Sequence, residues 1–259
     1  MKLYTTNRIN ALGLKGPEQT PQAIKQFLKL PITHINVDNS NIQESEQILY
    51  RKAKEIFAEQ VNQIQNPKSQ IPENLNIFLG GDHSITYPIF KAFQKQHKKP
   101  FLIIFDAHPD CMPPSQEPTH EEFLRAIIED GFPSSKIILI GTRKYEPEEI
   151  SFLKLHDIKI FQTIYDMESA ADYITEKANN HDLYISIDID ALDPAFAPAV
   201  NYPEPNGLTS KEFFYILNRL LKIKTLKAID IVEAIPEKDK QFDNRTLRTI
   251  TKIIQETTN

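Results

Sequence analysis

A single cysteine, Cys111, stands among 259 residues, so no internal disulfide can form and no thiolate cluster can hold a metal. That scarcity fits a reducing compartment, and Cys111, beside Asp110, reads as a small filler residue. Long apolar runs are missing as well. None approaches the ~20 residues of a membrane span, and the opening MKLYTTNRINALG lacks the apolar core of a signal peptide. The expectation is a soluble, cytoplasmic protein that does not meet a membrane. A basic stripe is also absent: 30 Lys and Arg are interspersed among 35 Asp and Glu for a net charge of -5, which leaves nucleic acid no electrostatic footprint. A small cationic substrate suits this balance better. Internal repeats, low-complexity linkers and composition shifts are missing too, so residues 1–259 are expected to form one domain.

What is present alternates. Apolar, strand-like runs at 33–37, 76–79, 101–105, 136–140, 158–161, 183–187 and 226–231 are separated by helical patterns near 20–29, 43–65, 85–97, 121–129, 147–156, 168–179, 209–221 and 245–256. The fold class is therefore α/β. Thr119 with Glu122 and Thr209 with Glu212 carry the capping-box spacing, and Thr20-Pro21 has the pattern of an N-cap followed by proline. Runs as apolar as FLIIF and LYISI predict strands of a parallel sheet covered on both faces, whose chemistry gathers beyond the carboxyl ends.

Three of these runs end in metal-binding residue types: GGDHS at 80–84, DAHPD at 106–110 and DIDALDP at 188–194. The side-chain period of two in an extended chain points Asp106, His108 and Asp110 to one side, and likewise Asp188 and Asp190. Singly, an Asp-rich strand end can cap the next helix and a histidine can be a core residue. Three such sets at strand ends of one chain favour metal. His83, Asp106, His108, Asp110, Asp188 and Asp190 are too many ligands for one catalytic ion and suit two ions roughly 3.5–4 Å apart. An oxygen-rich set with imidazole and no thiolate makes two Mn2+ per subunit the first choice, with iron, cobalt or nickel also compatible. The proline-rich stretches 109–118 and 194–205, each following a ligand set, read as ordered site loops.

GGDHS, FDAHPD (105–110) and SIDIDALDPAFAPA (186–199), with Gly207 beyond, resemble the signature motifs of the arginase/agmatinase ureohydrolases, and IGTR (140–143), DIVEAIP (230–236) and DNRTLRTITKII (243–254) extend the likeness over most of the chain. The resemblance implies a three-layer α/β/α fold with a mainly parallel, eight-stranded sheet, assembled as a trimer or hexamer. It also implies that His83 and Asp110 hold one manganese and His108 and Asp190 the other, with Asp106 and Asp188 bridging. By the same resemblance, His120 is the proton shuttle and Glu233 the partner of a substrate guanidinium, while Asp110 orients the nucleophile.

The implied reaction is hydrolysis of a guanidino compound to urea and an amine. A guanidinium is a poor electrophile, so it needs hydroxide at neutral pH, which two metals supply by acidifying a shared water. Agmatine, giving putrescine and urea, is the expected substrate, because the loop CMPPSQEPT (111–119) is short where arginases carry carboxylate-binding groups. Arginine, guanidinobutyrate, guanidinopropionate and formimidoylglutamate are the alternatives. Glu117, Glu146, Glu149 and Asn201 are the candidates for the distal end of the substrate. Two departures from the family pattern stand out: Glu121 where glycine is usual, and VNYPEPNG (200–207) where relatives commonly read TGTPEPGG, which puts Asn201 and Tyr202 beside the metals. The rival readings are a mononuclear amide deacetylase, a non-catalytic metal-binding relative and a dinuclear phosphoesterase. The last lacks a glycine-rich phosphate loop or arginine cluster.

Overall fold

The computed structural model describes residues 1–10, 14–62, 74–114, 117–162 and 167–258. Eight strands, β1 (Lys2–Thr6), β2 (Ile32–Ile35), β3 (Asn76–Leu79), β4 (Pro100–Phe105), β5 (Ile137–Ile140), β6 (Lys159–Phe161), β7 (Asp182–Asp188) and β8 (Leu226–Val232), form one sheet in the order β2-β1-β3-β8-β7-β4-β5-β6. Every pairing is parallel, so the sheet is wholly and not just mainly parallel. β1 is a strand that apolar periodicity misses. Its five residues, KLYTT, mix lysine and threonine with only two apolar side chains, yet four of them are buried between β2 and β3.

The helices among the described residues are α1 (Thr20–Ala23), α2 (Ile42–Asn62), α3 (Thr86–Gln96), α4 (Phe123–Glu129), α5 (Pro147–Leu155), α6 (Met167–Ala178), α7 (Ser210–Leu220), α8 (Pro236–Asp239) and α9 (Arg245–Glu256). The helix expected over 20–29 is instead α1 and a 3-10 turn, Ile24–Gln26. Thr20 is not a cap there: a 3-10 turn over Pro17–Gln19 precedes it, and its hydroxyl donates to Ala234 O at 2.7 Å. Positions 63–65 of the helix expected over 43–65 lie outside the described residues. The Thr209–Glu212 capping box is present at α7. At α4 only part of the Thr119–Glu122 box forms: Glu122 accepts from Thr119 N at 2.9 Å, while the threonine hydroxyl accepts from Glu121 N. No helix of the described residues is long and apolar enough to cross a membrane.

Alternation along the strands builds two cores. Ile103, Phe105, Ile185 and Ile187 pack with Ile174 of α6, Phe213 and Leu217 of α7, and Ile250 and Ile254 of α9. Leu102, Ile104 and Tyr184 point the other way, to Leu49 and Phe57 of α2, Phe93 of α3, Leu124 of α4 and Phe152 of α5. Helices therefore cover both faces, giving three layers, and each such fully buried Leu, Ile or Phe contributes about 1.5–3 kcal/mol. The strands β3, β8, β7 and β4 are adjacent in the middle of the sheet. Their carboxyl ends lie side by side, and the acidic motifs begin there.

Candidate metal centre

After β3 the chain turns through Gly80 and Gly81, where side chains have no room: a Cβ on Gly81 would lie 2.1 Å from Arg8 O. Asp82 caps the following 3-10 turn, His83–Ile85, accepting from Ser84 N at 3.2 Å. Buried Arg8 secures the same turn by donating to Ser84 O at 2.8 Å. His83 is thus fixed against Phe123, ring centroids 4.2 Å apart. Its Nε2 faces Ser186 Oγ at 2.9 Å, and Ser186 donates to Asp230 Oδ1 at 2.6 Å. Asp230 Oδ2 also accepts from Tyr184 OH at 2.6 Å and Thr86 Oγ1 at 3.0 Å. Because Ser186 spends its proton on Asp230, it accepts from His83 Nε2, which turns Nδ1 toward the carboxylates.

His83 Nδ1 lies 2.9 Å from Asp106 Oδ2, 3.1 Å from Asp110 Oδ2 and 3.5 Å from Asp188 Oδ2. His108 Nδ1 lies 3.1 Å from Asp190 Oδ2 and 3.6 Å from Asp106 Oδ1. His83, Asp106 and Asp188 make one group able to hold a metal ion, and Asp106, His108 and Asp190 make another, each with ligand atoms within 4.8 Å of one another. Asp106 belongs to both, one oxygen turned to each histidine. Backbone donors hold these carboxylates in place: His108 N reaches Asp106 Oδ1 at 2.7 Å, Ala107 N reaches Asp190 Oδ1 at 3.0 Å, and Asp190 N reaches Asp188 Oδ1 at 2.8 Å.

The donor set fits cations. Buried His83 Nδ1 and Asp106 Oδ2, though close, make no hydrogen bond of proper geometry with any group. Both belong to the His83, Asp106 and Asp188 group, whose ligand atoms are close enough to share one ion. Burial first, then the charge of Asp106, pushes the Asp110 carboxyl well up from its usual range; burial, then Asp190 and Asp106, does the same to Asp188. Burial opposes charge on His108, but Asp190 and Asp106 outweigh it and push the imidazole up to about 12. For His83 burial is likewise outweighed, by Asp106 and Asp110, and the group sits well above its ordinary value. The cluster takes up positive charge as protons, and divalent cations can supply that charge instead.

A cavity of about 210 Å³ opens above the two groups, lined by His108, Asp110, Asp188 and Asp190 below and by His120, Glu121, Lys144, Glu146, Asn201, Tyr202, Glu204 and Glu233 around it. Glu233 follows β8 directly; its Oε1 accepts from His83 N at 2.8 Å. Burial, then Asp82, pushes its carboxyl well up. Asp110 (φ 48°) and Glu233 (φ 70°) both occupy the left-handed region, where residues other than glycine are strained, and such strain gathers at functional sites. His120 is buried, neither ring nitrogen has a hydrogen bond, and its ring stacks on Tyr202 at 6.0 Å and 13°.

Four residues were expected at the distal end. Asn201 and Glu146 line the cavity, the latter with its Oε1 3.0 Å from Lys144 Nζ. Glu149 lines it too, but both its oxygens are committed, to Cys111 N at 3.0 Å and to Glu146 N at 2.9 Å, so it is a capping-box wall residue. Glu117 is not among the lining residues; its backbone carbonyl accepts from Asn10 Nδ2 at 3.1 Å. Cys111 is buried, and burial, then Glu149, pushes its thiol up, consistent with a filler. The remaining histidines stay away from the centre, His97 packing on Phe93 at 4.1 Å.

Sequence reasoning missed the Ser186–Asp230 relay and the role of Arg143. The signal for the relay was two polar residues, Ser186 and Asp230, inside otherwise apolar runs, and register pairs them across β7 and β8. Arg143 is a clamp: Nη2 donates to Glu204 O at 2.6 Å and Asp190 O at 2.9 Å, Nη1 to Gly141 O at 2.9 Å, and Nε to Pro205 O at 3.0 Å. One guanidinium thus ties the metal-facing turn to the cavity wall.

Two His/Asp groups sharing one carboxylate, beyond the central strands of a parallel sheet, define a class of proteins able to hold a pair of divalent cations. Within that class the chain belongs to the arginase family, whose profile matches residues 10–258. It is 32% identical over 174 residues to guanidinobutyrase of Pseudomonas aeruginosa, covering 64% of this chain and 54% of that protein. It is 32% identical over 163 residues to agmatinase of Neisseria gonorrhoeae, covering 62% and 52%. The chain thus spans about half the length of these curated relatives. The crystal structure of formimidoylglutamase from Bacillus subtilis has the same fold: TM-score 0.83 at 20% identity, covering 99% of this chain and 85% of that one.

Proposed function

We propose that this chain is a dinuclear manganese hydrolase of guanidino compounds that releases urea and an amine, with agmatine as its substrate. The observation that carries this reading is Asp106, shared between the His83 and His108 groups, as a bridging ligand would be. His83 and Asp110 would hold one ion, His108 and Asp190 the other, with Asp106 and Asp188 between them. When bound there, two such cations lower the pKa of a shared water to neutrality. Manganese is the choice that an oxygen-and-imidazole donor set favours.

The chain's own residues do the rest. Glu233, in the cavity lining, pairs with the substrate guanidinium through charge-assisted hydrogen bonds. Asp110 Oδ2, next to His83, accepts a proton from the attacking water and orients it. His120, buried with both ring nitrogens unbonded, delivers a proton to the departing amine nitrogen. Water adds to the guanidino carbon, the C–N bond to the alkyl amine breaks, and urea and the protonated amine result.

The distal end of the cavity carries Glu121, Glu146 and Glu204 against Lys144, which Glu146 already engages. That excess of acid supports a substrate ending in a cation over one ending in a carboxylate, hence agmatine over arginine or guanidinobutyrate. Lys144 in the same lining favours the carboxylate-ended alternatives, and so it defines the second reading. The active species is proposed to be a cytoplasmic homo-oligomer, each copy of residues 1–259 acting as one domain. Urea release by manganese-loaded protein from agmatine, arginine, guanidinobutyrate and guanidinopropionate tests the reading, with Asp110→Asn as control. Urea chiefly from agmatine, lost in the control, supports it; chief release from a carboxylate-ended guanidine moves the substrate to that class, and no urea from any of them rejects the reaction.

A further inference from the structure

The two places where the sequence departs from the family pattern, Glu121 and Asn201-Tyr202, meet in space around His120. The Tyr202 ring lies nearly parallel to the His120 ring, 13° between planes and 6.0 Å between centroids, and meets the His108 ring edge-on at 6.2 Å. Glu121 Oε1 sits 3.7 Å from His120 Nε2. Tyr202 is 43% exposed and lines the cavity, and the Glu121 side chain, likewise 43% exposed, lines it too and acts electrostatically on the Tyr202 phenol. His120 itself is 6% exposed, with neither ring nitrogen hydrogen-bonded, in the cavity wall beneath them. An open aromatic ring with an unburied carboxylate at its edge is the recognition unit for an ammonium ion: the ring face attracts the cation and the carboxylate accepts its hydrogen bonds.

We infer that Tyr202 and Glu121 form the subsite for the distal cation of the substrate and set the preference for cation-ended over neutral-ended chains. The inference rests on the proposed guanidino-hydrolase reading for its chemistry, but the subsite exists independently of turnover. The guanidino end lies at Glu233 and the metal groups, and the far end of a four-carbon chain reaches outward, to the mouth where Tyr202 stands.

Calorimetric binding of 1,4-diaminobutane and of butylamine to the manganese-loaded protein tests this, because the two differ only in the second ammonium. The parent is expected to bind the diamine about tenfold more tightly, the scale of one cation–π contact joined to one carboxylate contact. Tyr202→Ala and Glu121→Gln are expected each to remove most of that ratio, while Tyr202→Phe, which keeps the ring, retains it. Equal binding of the two amines by the parent, or an undiminished ratio in Tyr202→Ala, overturns the inference. Urea release from agmatine, measured on the same samples, separates the two levels: discrimination without urea upholds the subsite and rejects the reaction, whereas urea release from cation-ended and neutral-ended guanidines with equal KM rejects the subsite and leaves the reaction standing.

Discussion

Replacing Arg143 by methionine removes a clamp whose worth follows from its bonds. Four of its contacts, to the carbonyls of Glu204, Asp190, Gly141 and Pro205, are well formed at 2.6–3.0 Å, and two more, to Ala191 and Leu192, are long at 3.3 and 3.4 Å. A hydrogen bond to a charged group contributes about 1.5–3 kcal/mol net when isolated. The four share one partly exposed guanidinium and lose value through partial hydration and non-additivity, so Arg143→Met is expected to cost about 3–4 kcal/mol. Lysine, with a single ammonium and no planar fork, can serve one or two of these carbonyls and is expected to recover about 1 kcal/mol. Urea-induced unfolding of the metal-free variants measures both. The reasoning is refuted if the methionine variant stays within about 1 kcal/mol of the parent, or if lysine restores full stability.

Other consequences are open to direct test. Asp110 and Asp188 have raised values, so in the metal-free protein each contributes stability fully present below the ordinary carboxylate value of about 4 and lost as pH rises through the raised one. The urea midpoint of the metal-free protein should thus fall as pH rises above about 4, and saturating manganese, which takes the place of those protons, should reverse the slope; a flat metal-free profile would count against this electrostatics. Gly207→Ala would set a Cβ 2.5 Å from Asp193 N and 2.6 Å from Arg143 Nη2, and should cost about 2–4 kcal/mol in the same unfolding assay. Glu233→Gln should lower kcat/KM for agmatine at least about 100-fold without loss of metal-free stability, since glutamine has nearly the shape of the carboxyl and keeps an oxygen for His83 N.

Much of this molecule is legible in its sequence where the signal is local. FLIIF and LYISI are apolar enough to mark buried parallel strands, but the ligand sets at their ends meet through turns and not through the strand period of two: β4 stops at Phe105, Asp190 lies in a 3-10 turn over Ile189–Ala191, and Asp110 has left-handed backbone. β1 escapes because five residues with lysine and threonine give no apolar run; its burial comes from β2 and β3, paired as Leu3 with Ile32 and Lys2 with Asn76. The relay behind His83 escapes for the same reason, since Ser186 and Asp230 meet only through the register of β7 and β8. The three-residue spacing of Glu146 and Glu149 before a helix marks a capping box, which takes one oxygen of Glu149, while the other is taken by Cys111 N, a partner that only the fold brings near. The left-handed backbone at Asp110 and Glu233 has no sequence mark, because no glycine stands there.

The paired centre itself is tested most directly by counting manganese per chain after equilibrium loading and recording the electron paramagnetic resonance spectrum. Two ions per chain with the spectrum of a magnetically interacting pair, both lost in Asp106→Asn, is the predicted result. One ion per chain, or two that do not interact and survive loss of Asp106, would contradict a centre built around that shared carboxylate.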